Sequence, residues 1–316
     1  MIAAVLSRPG NIELLTVKEP VIGPDEVKIK IEGCGICASS IPLWEGRDWF
    51  SYPCEPGAPG HESWGVVKAI GGSITDVKPG DRVAFVSSNG YAEYDKANRN
   101  ALVKLPKLLD GQPFPGEPLG CAMNIFHRSD ISRGDTVAII GTGFLGLLLC
   151  QLAVNAGAKV IAISRRMFSL QQAKLNGAAE TIPLTTTWET TQSVEELTNQ
   201  QLCSRVIEAT GKQEGVDIAT QIVAVGGRMV IAGYHQDGLR QVDLQKWNWK
   251  GIDVINAHER DISKYVQGIE MAVDAVTNGT IRPASLYTML PISDINKGFE
   301  MTVQRPDGFT KALIQL

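Results

Sequence analysis

A chain of 316 residues, 44% hydrophobic and 20% charged, is long enough for two domains that each bury a core. Its formal net charge of −4 and isoelectric point near 5.7 argue against nucleic acid or an anionic membrane as the main partner. No window approaches the roughly 18 uninterrupted apolar residues of a membrane span. The opening MIAAVLSRPGNIELL reads as a strand and a turn without a basic leader or cleavage site, so a cytoplasmic protein is expected.

Residues 1–100 carry short β-like runs, IAAVLS, EVKIKIEGCG, GVVKAIG and DRVAFVS, separated by the turns GPDE, PGAPG and KPGDR. That rhythm predicts an antiparallel, barrel-like domain. Near residue 122 it changes. DTVAII is followed by a helix over about 143–156, KVIAIS by one over about 167–177, and RVIEATG by one near 214–224, before RMVIAGY and IDVINAH. Continuous Val/Ile runs mean strands buried on both faces, hence a parallel, doubly wound sheet between helices. A long amphipathic helix near 261–278 leads into LYTMLPIS, a short helix and TKALIQL, which return to the first domain. The predicted organisation is α/β: a partly open β-barrel from 1–122 and 258–316, with a cofactor domain, 123–257, inserted.

Six cysteines, at 34, 37, 54, 121, 150 and 203, show no secreted-domain pattern, which favours reduced thiols and metal ligation over disulfides. Cys37 in GCGICASS, His61 in PGHESWG and Cys121 in PLGCAMN offer two thiolates and an imidazole. Such a set makes a three-ligand zinc site whose fourth position stays open for water or substrate, as a catalytic zinc requires. Cys34 forms C-x-x-C with Cys37, but no second C-x-x-C completes a ribbon, so it reads as a packed strand residue; Cys150 reads as core.

Between an apolar strand and an apolar helix stands Gly141-Thr142-Gly143-Phe144-Leu145-Gly146. Gly141 permits a tight bend, Gly143 lets the backbone approach a pyrophosphate, and Gly146 lets helix and strand pack closely. The diphosphate would lie on the helix N-terminus, whose free N–H groups and dipole favour anions. KVIAIS ends in Ser164-Arg165-Arg166 rather than in an acid that would take the ribose 2′-hydroxyl of NAD. Two guanidiniums and a hydroxyl suit a 2′-phosphate, so NADP(H) is expected over NAD(H). The bland alternative is a solvated basic start to the next helix. A Lewis acid beside a nicotinamide implies hydride transfer to or from a carbonyl carbon.

The segments GCGICAS, PGHE, KPGDRV, the Cys121 stretch, VAIIGTGFLG and TKALIQL, spread from about residue 23 onward, together resemble the zinc-containing medium-chain alcohol dehydrogenase superfamily. The resemblance implies a GroES-like catalytic domain, a Rossmann cofactor domain, and zinc on Cys37, His61 and Cys121. It makes Glu62 a near-zinc carboxylate that approaches the metal during ligand exchange, and Ser39 the hydroxyl that bonds the alcohol oxygen. It places the backbone at Ala257 or its neighbours against the nicotinamide carboxamide. Lys311 matches a basic residue that reaches the cofactor diphosphate, or is an exposed terminal lysine.

Three departures stand out. Ser40 replaces an Asp that orients the histidine ligand, and Pro42 replaces a proton-relaying histidine. AFVSSNGYAEYDKANRN lacks the four-cysteine lobe of many relatives, so one zinc per chain and no structural zinc are expected.

Trp44, Trp49, Phe50 and Tyr52 crowd a stretch that borders the substrate cleft in the family. They either stack on a sugar, cyclitol or flat ring or form a packed loop. His258 is the best histidine for substrate or cofactor contact; His127 and His235 read as structural. KWNWKG, with tryptophans two apart before IDVINAH, suggests either an edge-strand subunit contact or plain core packing. A homodimer is expected, with a tetramer open. The leading functional reading is a zinc- and NADP-dependent dehydrogenase of a small secondary alcohol, a polyol, sugar or cyclitol. A dehydrogenase of a larger ring substrate such as a bacteriochlorophyllide-type tetrapyrrole, and a non-catalytic binding or regulatory protein on the same fold, remain as alternatives.

Overall fold

The computed structural model of the protein describes residues 1–316. Its elements follow in chain order. β1 (Ile2–Arg8) and β2 (Asn11–Thr16) form a hairpin, followed by β3 (Glu26–Gly35), α1 (Ile41–Glu45), β4 (Glu62–Ile70), β5 (Arg82–Phe85), β6 (Tyr94–Asn98), β7 (Leu102–Lys104) and α2 (Gly116–Ser129). Next come β8 (Thr136–Ile140), α3 (Phe144–Asn155), β9 (Lys159–Ser164), α4 (Met167–Leu175), β10 (Glu180–Pro183), α5 (Thr187–Leu197), β11 (Cys203–Glu208), α6 (Gln213–Ile222), β12 (Val223–Ile231), α7 (Leu244–Lys250) and β13 (Asp253–Asn256). α8 (Ile262–Thr277), β14 (Tyr287–Pro291), α9 (Ile295–Gln304) and β15 (Lys311–Gln315) complete the set.

The chain forms two compact units, Met1–Cys121 with Arg260–Gly279 and Pro283–Leu316, and Ala122–Glu259 with Thr280–Arg282. The short return of 280–282 to the second unit differs from the sequence expectation and has a local cause. Asn155 Nδ2 donates to Thr280 O at 2.9 Å, and Arg282 N donates to Gln151 Oε1 at 2.6 Å, so both ends of that stretch are tied to α3.

In the first unit a seven-stranded sheet runs β14-β15-β3-β4-β5-β7, with β6 also pairing β3. β3 is its spine. Val27, Ile29 and Ile31 alternate into the core at 0–2% exposure, the period of two expected of a half-buried strand. Its end lies opposite the start of β4, Gly35 facing Glu62, while Leu313 of β15 pairs with the same Gly35. Residues distant in sequence, 35–39, 61–62 and 311, therefore meet at one corner of the sheet.

The second unit is a six-stranded parallel sheet of order β10-β9-β8-β11-β12-β13. Ile139, Ile140, Val160, Ile161, Val206 and Ile207 are fully buried, which accounts for the uninterrupted aliphatic runs. This is the doubly wound arrangement, whose strand order reverses between β8 and β11, and ligands bind beyond the carboxyl ends of strands at that reversal.

KWNWKG is helical, not strand-like. Asp243 caps α7 by accepting from Lys246 N at 2.9 Å, and Gly251 ends it at φ 59°. Trp247 Nε1 donates to Thr220 Oγ1 at 2.9 Å while Trp249 is 88% exposed, so the pair splits between a packed side and a solvent side.

Candidate active site

Cys37, His61 and Glu62 bring their ligand atoms within 4.8 Å of one another. His61 Nδ1–H donates to Pro59 O at 3.0 Å, the assignment that leaves Nε2 free as a ligand with its ring orientation fixed. Ser39 Oγ donates to Cys37 Sγ at 3.1 Å. Glu62 is fully buried; Lys311 Nζ, itself 6% exposed, donates to its Oε1 at 2.6 Å, and its Oε2 is buried with no hydrogen-bond partner.

The electrostatics of this corner favour a cation. Burial pulls the His61 imidazole down, but the Cys37 sulfur bonded beside it, with Glu117 and Glu62, more than reverses this and raises it to about 10. Burial pushes the Glu117 carboxyl up, and burial followed by Glu117 pushes the Cys121 thiol well up. Burial lowers Lys311, and Glu62 and Cys37 overcome that to raise it. Sulfur, imidazole and carboxylate donors, an unpartnered buried carboxylate oxygen and a negative field fit a dication such as zinc.

Cys121 stands beside this group rather than in it, close enough for Cys37 and Glu62 to act on its thiol. Its sulfur lies outside the close group of donors and donates to Glu117 Oε1 at 3.2 Å. Positions 117 and 121 stand one turn apart on one face of α2. The acid reaches the site from the same face, and its charge acts on His61. Sequence reasoning passed over Glu117; the signal was the acid four residues before Cys121 in a helical stretch.

In the second unit the glycine turn sits at the strand-order reversal. Gly141 adopts φ 95°, and a Cβ there would meet Thr210 Cγ2 at 2.8 Å, so β8 and the loop after β11 close tightly. A Cβ on Gly146 would stand 2.0 Å from Gly141 O, which forbids a side chain where α3 crosses β8. Gly143, the N-cap of α3, differs, since it has ordinary dihedrals and nothing within 4 Å of a Cβ. Within the protein Gly143 has room for a side chain, so bareness there suits a ligand passing close. Thr142 Oγ1 is buried without a hydrogen-bond partner. Phe144 and Leu145 open α3 in half-buried positions. A dinucleotide diphosphate fits this turn.

Residues 145–285 match the zinc-binding dehydrogenase family model, and residues 23–124 match the alcohol dehydrogenase GroES-like domain model. The chain belongs to the zinc-containing medium-chain dehydrogenase superfamily. It is 27% identical to D-arabinitol dehydrogenase 1 of Uromyces fabae over 76% of this chain and 77% of that protein. It is 26% identical to sorbitol dehydrogenase of Mus musculus over 95% of this chain and 92% of that one. A solved zinc-binding dehydrogenase from Sinorhizobium meliloti 1021, bound to NADP, superposes with a TM-score of 0.84 at 26% identity, covering 100% of this chain and 99% of that chain.

The other expected residues of this medium-chain dehydrogenase fall as follows. Lys311 is neither an exposed terminal lysine nor open to a diphosphate, because its ammonium is buried against Glu62. Ser164 ends β9 at 8% exposure, Arg165 is exposed and ion-paired with Glu214, and the Arg166 guanidinium lies 5.6 Å from the centre of the Phe168 ring. Ala257 N–H donates to Ile231 O at 3.0 Å, so only its carbonyl is left to meet a ligand. Exposed His258 stacks on Tyr234 with centroids 5.5 Å apart. Trp44 stacks on Phe299 at 5.9 Å within the first unit's core, which favours the packed-loop reading for it, while Trp49 is 64% exposed. His235 Nε2 bonds Glu208 Oε2 at 2.9 Å, a structural role. All six cysteines are free, and no helix is long and apolar enough to cross a membrane.

One substitution probes the donor corner directly. A Cβ on Gly35 would lie 1.9 Å from Glu62 Oε2. Gly35→Ala is therefore expected to push Glu62 off its place and lower zinc occupancy in metal analysis; unchanged occupancy would show that Glu62's position is irrelevant to the metal.

Proposed function

We propose that the chain is a zinc-dependent, NADP(H)-preferring dehydrogenase of small secondary alcohols of the polyol class. The observation that carries this reading is the meeting of half-buried Cys37 and His61 with buried Glu62 within 4.8 Å, with the Ser39 hydroxyl on Cys37. Cys37 and His61 would hold the metal, with α2 supplying a third donor from Cys121 or Glu117. Bound there, zinc would supply Lewis-acid polarisation of an alcohol or carbonyl oxygen. The chain's own groups do the rest. Pro59 fixes the His61 ring, Lys311 restrains Glu62, and Ser39, half-buried, offers a hydroxyl for the proton that leaves as hydride departs from the adjacent carbon. Gly141 to Gly146 would seat the cofactor diphosphate, and Arg165 and Arg166 its 2′-phosphate.

The polyol assignment is supported by the arabinitol and sorbitol dehydrogenases among the relatives, and the cofactor by the NADP-bound neighbour. β13 ends its sheet with Val254 exposed, and nearby exposed Trp249 adds apolar surface, which supports a homodimer joined along that edge. The test is a screen of polyols, inositols and aromatic alcohols with both cofactors, on protein of measured zinc content and measured mass by light scattering. Oxidation of an open-chain polyol with NADP, by a stoichiometrically zinc-loaded dimer, is expected. Turnover confined to large ring ketones would overturn the substrate class, and no turnover of any alcohol or ketone would favour a non-catalytic role.

A further inference from the structure

The ion pair between Arg165 and Glu214 joins the turn after β9 to the start of α6 at the carboxyl edge of the parallel sheet. Arg165 follows β9 directly. Glu214 stands in the first turn of α6, where the helix dipole favours a carboxylate. Arg165 Nη2 donates to Glu214 Oε2 although the residues are 49 apart in sequence. The side chains are 69% and 28% exposed, so solvent screens the pair and a stronger anion can exchange for its carboxylate. A phosphate dianion is such an anion, being a better fork acceptor for a guanidinium. Ser164 meanwhile leaves the end of β9 without the acid that would accept a ribose 2′-hydroxyl.

We propose that Glu214 determines cofactor choice together with Arg165, supplying from α6 the carboxylate that β9 lacks. With NADP, Arg165 leaves Glu214 for the 2′-phosphate, and Glu214 repels that phosphate. With NAD, the pair stays together and Glu214 accepts the 2′-hydroxyl. Glu214 thus limits the preference for NADP that the two arginines create. This rests on reading Arg165 as the 2′-phosphate partner.

The test measures dissociation constants of NADPH and NADH by fluorescence for the zinc-loaded wild type and for Arg165→Gln, Glu214→Gln and Glu214→Asp. Arg165→Gln is expected to weaken NADPH by about tenfold or more, the scale of a charged hydrogen bond, and to spare NADH. Glu214→Gln is expected to tighten NADPH and weaken NADH, each by about threefold to tenfold on the same scale, and Glu214→Asp to keep the wild-type ratio. If Arg165→Gln discriminates while Glu214→Gln moves both cofactors equally or neither, the role of Glu214 is overturned and the NADP reading stands. If Arg165→Gln does not discriminate, the 2′-phosphate reading falls and takes Glu214's role with it.

Discussion

Cys37→Ala is expected to remove bound metal and alcohol oxidation together while leaving NADPH affinity within about twofold of wild type, since each tenfold is 1.4 kcal/mol of binding. Cys37 is the sulfur that meets His61, takes the Ser39 hydroxyl and anchors the negative field of the corner. Removing it deletes a donor and the serine's partner at once. Loss of one metal ligand of three leaves a site that no longer closes around a dication. Metal analysis and NADPH titration separate the two halves of the expectation. Full activity in a metal-free variant would refute the zinc mechanism outright. Cobalt substitution adds the identity of the third donor, because thiolate-to-cobalt absorption scales with the sulfurs bound. Two thiolates would assign it to Cys121, and one would assign it to a carboxylate, Glu117 or Glu62.

Gly143→Ala is expected to leave the melting temperature unchanged and to weaken NADPH and NADH alike by about tenfold or more, a loss of at least 1.4 kcal/mol. The contrast with its neighbours makes the experiment sharp. Gly146 admits no Cβ, with Gly141 O only 2.0 Å away, and Gly141 holds φ 95°, so changes there damage the fold as well as the site. At Gly143 the polypeptide has room and ordinary dihedrals. A methyl group there has only a ligand to collide with. Should cofactor affinity survive the substitution, the diphosphate does not run over this turn.

Much of the architecture was legible in the residues. Val/Ile runs such as VAII and KVIAIS announce strands covered on both faces, and β8 and β9 are so covered. The glycine turn was readable because each glycine answers a different steric demand along one strand-to-helix step. The metal corner was only partly readable. Cys37 and His61 stand out by residue type, but Glu117 and Cys121 share one face of α2 and bond each other, and that pairing depends on a helix whose start the sequence marks weakly. Lys311 misled for a related reason. Five residues of β15 give no sign that their first side chain is swallowed beside a carboxylate 249 positions earlier. Two tryptophans spaced by two leave an edge contact and core packing equally open; Asp243 and Gly251 bracket a short helix that sends Trp247 to the packed side and Trp249 to solvent. Glu214 was invisible because its meaning comes from Arg165, an arginine just after β9 and 49 positions earlier.

β15 lies between β14 and β3 in the interior of its sheet, not at a margin. Residues 311–315 emerge from a ribosome long after the β3 and β4 strands they complete. Until they arrive, the strand carrying Cys34 and Gly35 lacks a neighbour, and Glu62 lacks its ammonium. The second unit, Ala122–Glu259, needs only the three later residues Thr280–Arg282 to be complete. The corner that holds Glu62 is therefore complete only once β15 has been made.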